Sequence, residues 1–500
     1  MMTKGERLTL ADLIAGLTEQ GGVSTEALSE AASVQISRAV IDSRLATPGC
    51  LFIALRGEHH NGHDFIAEAI GRGAVAVIAE KAPPAEKGYW ILDSRAFQCP
   101  ISNVPNIQSP ACLIVPNSLA ALQQVATHWR RQQAVRVVGV TGSVGKTISK
   151  EAIAAVLRRR YRTLKSEGNY NNEIGLPLTL LHLTTAHERA VLEMGMYNLG
   201  EIAQLARIAR PQVGVVTNVG PTHLERLGTI ERIAQAKAEL PQALPPAEEG
   251  GVAVLNADDE RVAAMAGQTQ ARLFTYGLTP AADLWADEIE SAGLAGIRFA
   301  LHYQGQTVRI HAPLLGRHSV HTALCAAAVG LVEGLTWEEI VAGLQDPSVQ
   351  LRLVVVPGPA GSTLLDDTYN ASPASCLAAL RLLAELQGRK IAVLGDMYEL
   401  GSFEEEGHRL VGRQARQVAD RLVAVGRLGR IIGEEALQAG MPAEAVHLAE
   451  TNEQAIALLQ TLIQGGDVVL IKGSRGMKME QIVAALSRPP AGRQAGGKQP

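Results

Sequence analysis

Arg136-Val-Val-Gly-Val-Thr-Gly-Ser-Val-Gly-Lys-Thr147 is the stretch whose reading decides the fold. Val137 to Val140 form a short apolar run suited to a buried strand. Thr141, Gly142, Ser143, Val144 and Gly145 can turn tightly and present backbone N–H groups to phosphate. Lys146 supplies a point charge for phosphate oxygens, and the Thr147 hydroxyl is a ligand for Mg²⁺. Beyond it Ile148, Ala152, Ile153, Val156 and Leu157 share one helical face, so bound phosphates would lie at a helix N-terminus. Arg158, Arg159 and Arg160 close the helix, where cations suit its dipole. Gly139 stands one residue too early for the strict phosphate-loop spacing, and the plain alternative is a glycine turn between strand and helix. Strand, Lys-Thr pair and helix together favour nucleotide binding.

The chain of 500 residues is long enough for about three domains. A net charge of −4 and 4% aromatic residues disfavour nucleic acid, through lack of both bulk positive charge and stacking platforms. Cys50, Cys99, Cys112, Cys325 and Cys376 form no CxxC pair and no zinc spacing, as expected of reduced thiols in a cytoplasmic protein. No apolar run reaches membrane-spanning length, and residues 1–7 hold no signal-peptide core.

Short apolar runs alternate with helical stretches through most of the chain. A mixed unit over 1–133 holds helices over 8–17 and 119–131 and strands over 49–55 and 74–79, with an irregular stretch over 83–106. A central unit over 134–313 carries Val191-Leu-Glu-Met194, Val213–Thr217 and Val252–Leu255 as strands between helices, then a β-rich closure over 274–308. This is the pattern of a doubly wound parallel sheet. Ala312-Pro-Leu-Leu-Gly316 reads as a linker to a third unit over 314–487, with strands at 364–366, 391–394, 422–425 and 468–471. The tail, 488–500, has the composition of a disordered segment.

Chemistry-bearing residues cluster at strand ends, where open α/β sheets bind ligands. Glu193 ends one strand and could hold Mg²⁺; alone it could equally be a surface charge. His223 follows Thr217-Asn218 and is either a structural histidine or a metal-orienting group. Lys237 lies in an Ala-rich helix and, by pattern, on a solvated face. Glu167-Gly-Asn-Tyr-Asn-Asn-Glu173 is dense enough in Asn to line a polar site or merely a turn. Asp366-Asp-Thr-Tyr-Asn-Ala-Ser-Pro373 offers Asp367 to a ribose or amine, or as a helix N-cap. Lys472-Gly-Ser-Arg-Gly-Met-Lys478 is a basic loop suited to carboxylate or phosphate, or a surface turn.

With these motifs, and with Gly168–Gly175, Leu192-Glu-Met-Gly195 and Leu394-Gly-Asp-Met397, the chain resembles the Mur ligases of peptidoglycan synthesis over nearly all of its length to about residue 487. Within that family it is most similar to the branch that joins D-alanyl-D-alanine to UDP-N-acetylmuramoyl-tripeptide. The resemblance implies an α/β fold of three domains: a smaller UDP-sugar domain, a central phosphate-loop ATPase domain and a C-terminal Rossmann-like domain. It implies ATP and two Mg²⁺ ions, and a monomer. Lys146, Lys237, His223 and Asn169 would be catalytic. Thr147, Glu193 and His223 would serve Mg²⁺, and Lys237 would be carbamylated to hold the second ion. His321, Arg352 and Asp367 would contact the nucleotide. Ser43 and Arg44, in Ile41-Asp-Ser-Arg44, would meet the uridine nucleotide, and Asn171, Asn172, Tyr369, Asn370, Ser474 and Arg475 the other substrates. The linker would be a hinge. Val144, Ser319, His321 and Ser372 depart from the family pattern, so the adenine contact is left open. The sibling ligase that adds a diamino acid carries an Asp-Asn-Pro motif that this chain lacks. A GTPase switch would need Asn-Lys-x-Asp, and a motor an acidic pair ending a Walker B strand; neither is present.

Overall fold

The computed structural model describes residues 6–18, 31, 33–57, 60–82, 90–93, 109–349 and 353–487. Arg352, Cys99 and the tail from 488 lie outside them. Three sheets define three lobes.

The first lobe has five parallel strands: β1 (Ala39–Val40), β2 (Leu51–Ile53), β3 (Ala76–Ala79), β4 (Trp90–Asp93) and β5 (Ala111–Ile114), in the order β1-β2-β3-β5-β4. β4 falls inside the stretch expected to be irregular, and it pairs in parallel with β5. The helix Ser118–Gln132 leads out of this lobe and ties it to the next. Trp129 Nε1 donates to the Leu183 carbonyl at 3.0 Å, and Arg130 Nε to the Ala209 carbonyl at 2.7 Å. One continuous core runs from Leu13 and Leu113 to Val137 and Leu192, so the first two lobes are packed as one body.

The central sheet has nine strands in the order β14-β13-β12-β11-β10-β9-β6-β8-β7. They are β6 (Arg136–Thr141), β7 (Thr163–Lys165), β8 (Arg189–Glu193), β9 (Val213–Val216), β10 (Val252–Asn256), β11 (Arg272–Gly277), β12 (Leu284–Ser291), β13 (Ile297–Tyr303) and β14 (Gln306–Ala312). β7 to β12 with β6 run parallel, and β13 and β14 close the sheet antiparallel. Strands covered on both faces are apolar at nearly every position, as in Val137-Val-Gly-Val140.

The expected boundary at 313 is corrected by packing. The segment 312–316 is no free linker: Ala312, Leu314 and Leu315 are buried, the helices Val320–Val332 and Trp337–Leu344 both lie against the helix Lys146–Leu157, and the first of them also covers β10, β11 and β12. Buried Glu333 fastens this layer by ion pairs with Arg136, at 2.7 Å, and Arg189. Arg159 and Arg160 pair with Asp346 and Glu339. The central core thus continues to Val349, and the third core begins at Leu353.

The third lobe is a six-stranded sheet in the order β15-β16-β20-β17-β18-β19. Its strands are β15 (Val354–Pro357), β16 (Thr363–Asp366), β17 (Lys390–Gly395), β18 (Arg421–Val425), β19 (Val446–Ala449) and β20 (Val468–Lys472), with only β15 antiparallel. Sequence reading missed β15 and β19, the two edges, whose residues are only partly buried.

Candidate active site

The phosphate loop follows β6 and enters the helix Lys146–Leu157. Two of its positions require glycine. Gly142 has φ +150°, and a Cβ there would stand 1.9 Å from Thr217 Oγ1. Gly145, at φ +85°, is the left-handed residue that opens the helix. The loop is braced from the end of β9. Ser143 Oγ donates to the Gly220 carbonyl at 3.0 Å and accepts from the Gly220 N–H at 2.8 Å. Asn218 holds Val144 on both sides, its Oδ1 accepting the N–H at 2.9 Å and its Nδ2 donating to the carbonyl at 2.7 Å. The Val144 side chain takes no part, so this departure from the family pattern leaves the backbone geometry intact. Lys146 Nζ donates to the Gly142 carbonyl at 2.7 Å.

β8 lies beside β6 and delivers Glu193 to the same edge. Glu193 is buried, not a surface charge. Its Oε2 accepts from Thr147 Oγ1 at 2.7 Å and its Oε1 from Asn171 Nδ2 at 2.8 Å. The Glu193 N–H donates to Ser166 Oγ. Lys150, one turn after Lys146 and fully buried, donates to the carbonyls of Ser166 at 2.7 Å and Gly168 at 3.2 Å. It thereby fixes the start of the Asn-rich loop. Within that loop Asn172 Oδ1 accepts the N–H of Gly175, and the Asn169 carbonyl accepts the Asn171 N–H at 2.7 Å. Lys150, Ser166 and Asn218 were missed as site residues. Lys150 stands between Ser149 and Glu151 in the polar first half of its helix, so no local signal marked it as buried.

A cleft at this edge is lined by Lys146, Asn171, Asn172, Gly195, Met196, Tyr197, Glu201, His223 and Lys237. Residues from five separate stretches of sequence meet there. Lys237, read from pattern as solvated, is buried, because the helix Ile230–Gln242 packs its inner face on β9. Burial, with the nearby charge of Lys146, holds its amine well below the ordinary lysine range. His223 Nδ1 lies 2.7 Å from Glu399 Oε2 of the third lobe.

The third-lobe residues gather at the carboxyl ends of β16 and β20. Asp367 Oδ2 is 2.7 Å from Lys472 Nζ, which also donates to the Asn370 carbonyl. The Arg475 guanidinium lies over the Tyr369 ring at 5.5 Å. Ser474 is buried, and its Oγ accepts the Tyr398 N–H at 2.9 Å. The helix N-cap in this motif is Ser372, not Asp367, and a reciprocal bond with Ser375 completes it. His321 Nε2 is 2.8 Å from Asp258 Oδ2 in the central lobe. Neighbouring His318 is pushed down to about 4, first by burial and then by His321, and is neutral. Ser43 and Arg44 are not among the cleft residues. Ser43 Oγ donates to Glu68 in the first lobe, and exposed Arg44 folds back on Asp42 at 2.7 Å.

Residues 140–330 match the family model described as Mur ligase middle domain, 351–475 the Mur ligase glutamate ligase domain, and 35–130 the Mur ligase family catalytic domain. The UDP-N-acetylmuramoyl-tripeptide–D-alanyl-D-alanine ligase of Bacillus subtilis is 37% identical over 90% of this chain and 93% of its own length. The chain belongs to the Mur ligase family. Among solved structures, MurF from Acinetobacter baumannii covers 96% of this Mur ligase and 99% of its own chain at 30% identity, with a TM-score of 0.79. MurF ligase from Thermotoga maritima in complex with ADP covers 90% and 96% at 28% identity, with a TM-score of 0.73.

The donors in this Mur ligase fit Mg²⁺. The Thr147 hydroxyl and the Glu193 carboxylate are hard oxygen ligands beside a phosphate loop. Among the described residues no three His, Cys, Asp or Glu side chains gather as a metal cage. That suits an ion that takes few protein ligands and draws others from phosphates and water. No described helix is long and apolar enough to cross a membrane.

Proposed function

We propose that this chain is an ATP-dependent ligase that joins D-alanyl-D-alanine to UDP-N-acetylmuramoyl-tripeptide, giving the pentapeptide precursor of peptidoglycan. The observation that carries the reading is the convergence of Lys146, Asn171, His223 and Lys237 on one cleft, beside the Thr147–Glu193 pair. Relatives bearing that activity in their names align with nine-tenths of the chain.

A peptide carboxylate is a poor acyl donor, because its leaving group would be oxide. Transfer of the ATP γ-phosphoryl to it gives an acyl phosphate. The dipeptide amine adds to that carbonyl, the tetrahedral intermediate collapses, and phosphate leaves. Both steps crowd anions together, so cationic groups must meet the developing charge. Lys146 is placed to exchange its loop carbonyls for phosphate oxygens. Mg²⁺ held by Thr147, Glu193 and His223 would supply further neutralisation of the triphosphate. Lys237 reacts with CO₂ only as the free amine, and its buried setting favours that form. The carbamate would hold a second Mg²⁺. Asn169 and Asn172 belong to the loop that Lys150 fixes beside the acceptor carboxylate. Asp367 would bind the ATP ribose, and His321 and Arg352 would serve the rest of the nucleotide. Tyr369, Asn370, Ser474 and Arg475 receive the incoming dipeptide. The first lobe, with Ser43 and Arg44, binds the uridine nucleotide.

Phosphate release from ATP should require both UDP-N-acetylmuramoyl-tripeptide and D-alanyl-D-alanine. Equal turnover with a free diamino acid and the UDP-muramoyl dipeptide would refute the assignment.

A further inference from the structure

The motif Leu394-Gly-Asp-Met397 has no part in the chemistry above. It ends β17 and continues as an arm, Tyr398-Glu-Leu-Gly401, toward the central lobe. The arm is fixed along its length. Asp396 Oδ1 accepts the N–H groups of Leu428 and Gly429 at 2.9 and 2.7 Å. The Met397 N–H donates to His408 Nε2 at 3.0 Å, and Met397 and Leu400 are buried. At Gly401 the approach to the central lobe is so close that a Cβ would stand 2.7 Å from the Glu225 nitrogen.

Glu399 stands between these anchors with φ +64°, a left-handed conformation uncommon outside glycine. That backbone aims its carboxylate across the lobe boundary, to 2.7 Å from His223 Nδ1. His223 is itself left-handed at φ +60°, and its ring packs edge-on to Tyr197 at 5.3 Å. Nδ1 is buried against Glu399, while the ring borders the cleft with Lys146 and Lys237. The contact has ion-pair distance without straight hydrogen-bond alignment, a looseness common before substrate binds.

We propose that Glu399 is a positioning residue for His223. The third lobe's carboxylate takes the Nδ1–H, which leaves the Nε2 lone pair facing the cleft for a phosphate-bound cation. A carboxylate behind a ligating histidine fixes the tautomer and raises ligand basicity. Because arm and histidine lie on different lobes, the histidine is correctly set only when the lobes are together. This inference rests on the ligase reading above and names how the third lobe completes that site.

The test is Glu399→Gln, which keeps shape and removes charge; Glu399 is 47% exposed at its side chain, so the variant is expected to fold. In ¹⁵N-imidazole spectra the native protein should show His223 protonated at Nδ1, and the variant a mixture of tautomers. Mn²⁺ binding in the presence of ATP, read by electron paramagnetic resonance, should weaken roughly tenfold to a hundredfold. kcat should fall by a similar factor, with the KM for the dipeptide little changed. An Nε2–H tautomer in the native protein, or identical tautomer and Mn²⁺ affinity in the variant, would overturn the proposal. Native protein that releases phosphate without the dipeptide would instead defeat the ligase reading, and the imidazole spectra would still decide the role of Glu399.

Discussion

Thr147 Oγ1 donates to Glu193 Oε2 at 2.7 Å, joining the first turn of the phosphate-loop helix to the end of the neighbouring strand, 46 residues on in sequence. The other carboxylate oxygen accepts from Asn171, so one buried anion fixes both the loop and the Asn-rich segment. Glu193→Gln preserves the acceptor on one side and removes the charge. Stability should change by only about 1 kcal/mol, since a neutral group still bonds. Ligation should slow by about 10²-fold and need more Mg²⁺, because the charge that holds the cation is gone. Thermal unfolding and phosphate-release rates across a Mg²⁺ series check both halves. Full activity at ordinary Mg²⁺ would remove Glu193 from the site.

Gly142→Ala tests the loop itself. The added methyl would lie 1.9 Å from Thr217 Oγ1, and φ +150° is unsuited to alanine. Relief requires the loop to move, which breaks the Asn218 brace on Val144. ATP binding should weaken by at least about tenfold, in line with roughly 1–3 kcal/mol of local strain. Isothermal titration with ATP measures it; native affinity would mean the loop is free to shift.

The central strand, loop and helix were legible because their signals are local: an apolar run, glycines at a turn and a Lys-Thr pair. Lys237 was not legible from pattern. An Ala-rich helix gives no sign of which face is covered, and burial came only with packing on β9. Ala312-Pro-Leu-Leu-Gly316 resembled a linker, yet Ala312, Leu314 and Leu315 are core residues. The apolar circumference of the helix Val320–Val332 was the overlooked sign, since such a helix must be enclosed. The His223–Glu399 approach depends on how two lobes meet, which no local pattern encodes.

Lys237→Met separates function from stability. Burial first, then Lys146, lowers the amine below its ordinary 10.5. The folded state therefore binds this proton less readily than the unfolded chain. Stability then rises with pH between the depressed value and 10.5. Methionine removes that penalty. In CO₂-free buffer the variant should melt above the native protein at pH 7, with the margin shrinking as the pH approaches 10. Ligation should fall by roughly 10²–10³-fold. Lys237→Ala should regain part of its activity from added short carboxylic acids. A variant less stable than native at pH 7, or one that ligates normally, would contradict the role assigned to this lysine.

Glu333→Ala addresses the layer that carries the site. The buried carboxylate pairs with Arg136 at the start of β6 and with Arg189 at the start of β8, from the end of the helix Val320–Val332. These two strands present the phosphate loop and Glu193 at their opposite ends. Removing the anion leaves two partly buried guanidinium groups facing each other without a partner between them. Loss of one member of a buried ion pair costs about 3–5 kcal/mol. Arg136 keeps its bond to the Gly250 carbonyl, which favours the lower end of that range. Urea unfolding should show the midpoint falling with little change in slope. At temperatures where the variant remains folded, its KM for ATP should stay near native, because no cleft residue has changed. A stability loss under about 1 kcal/mol would mean that water already satisfies these arginines.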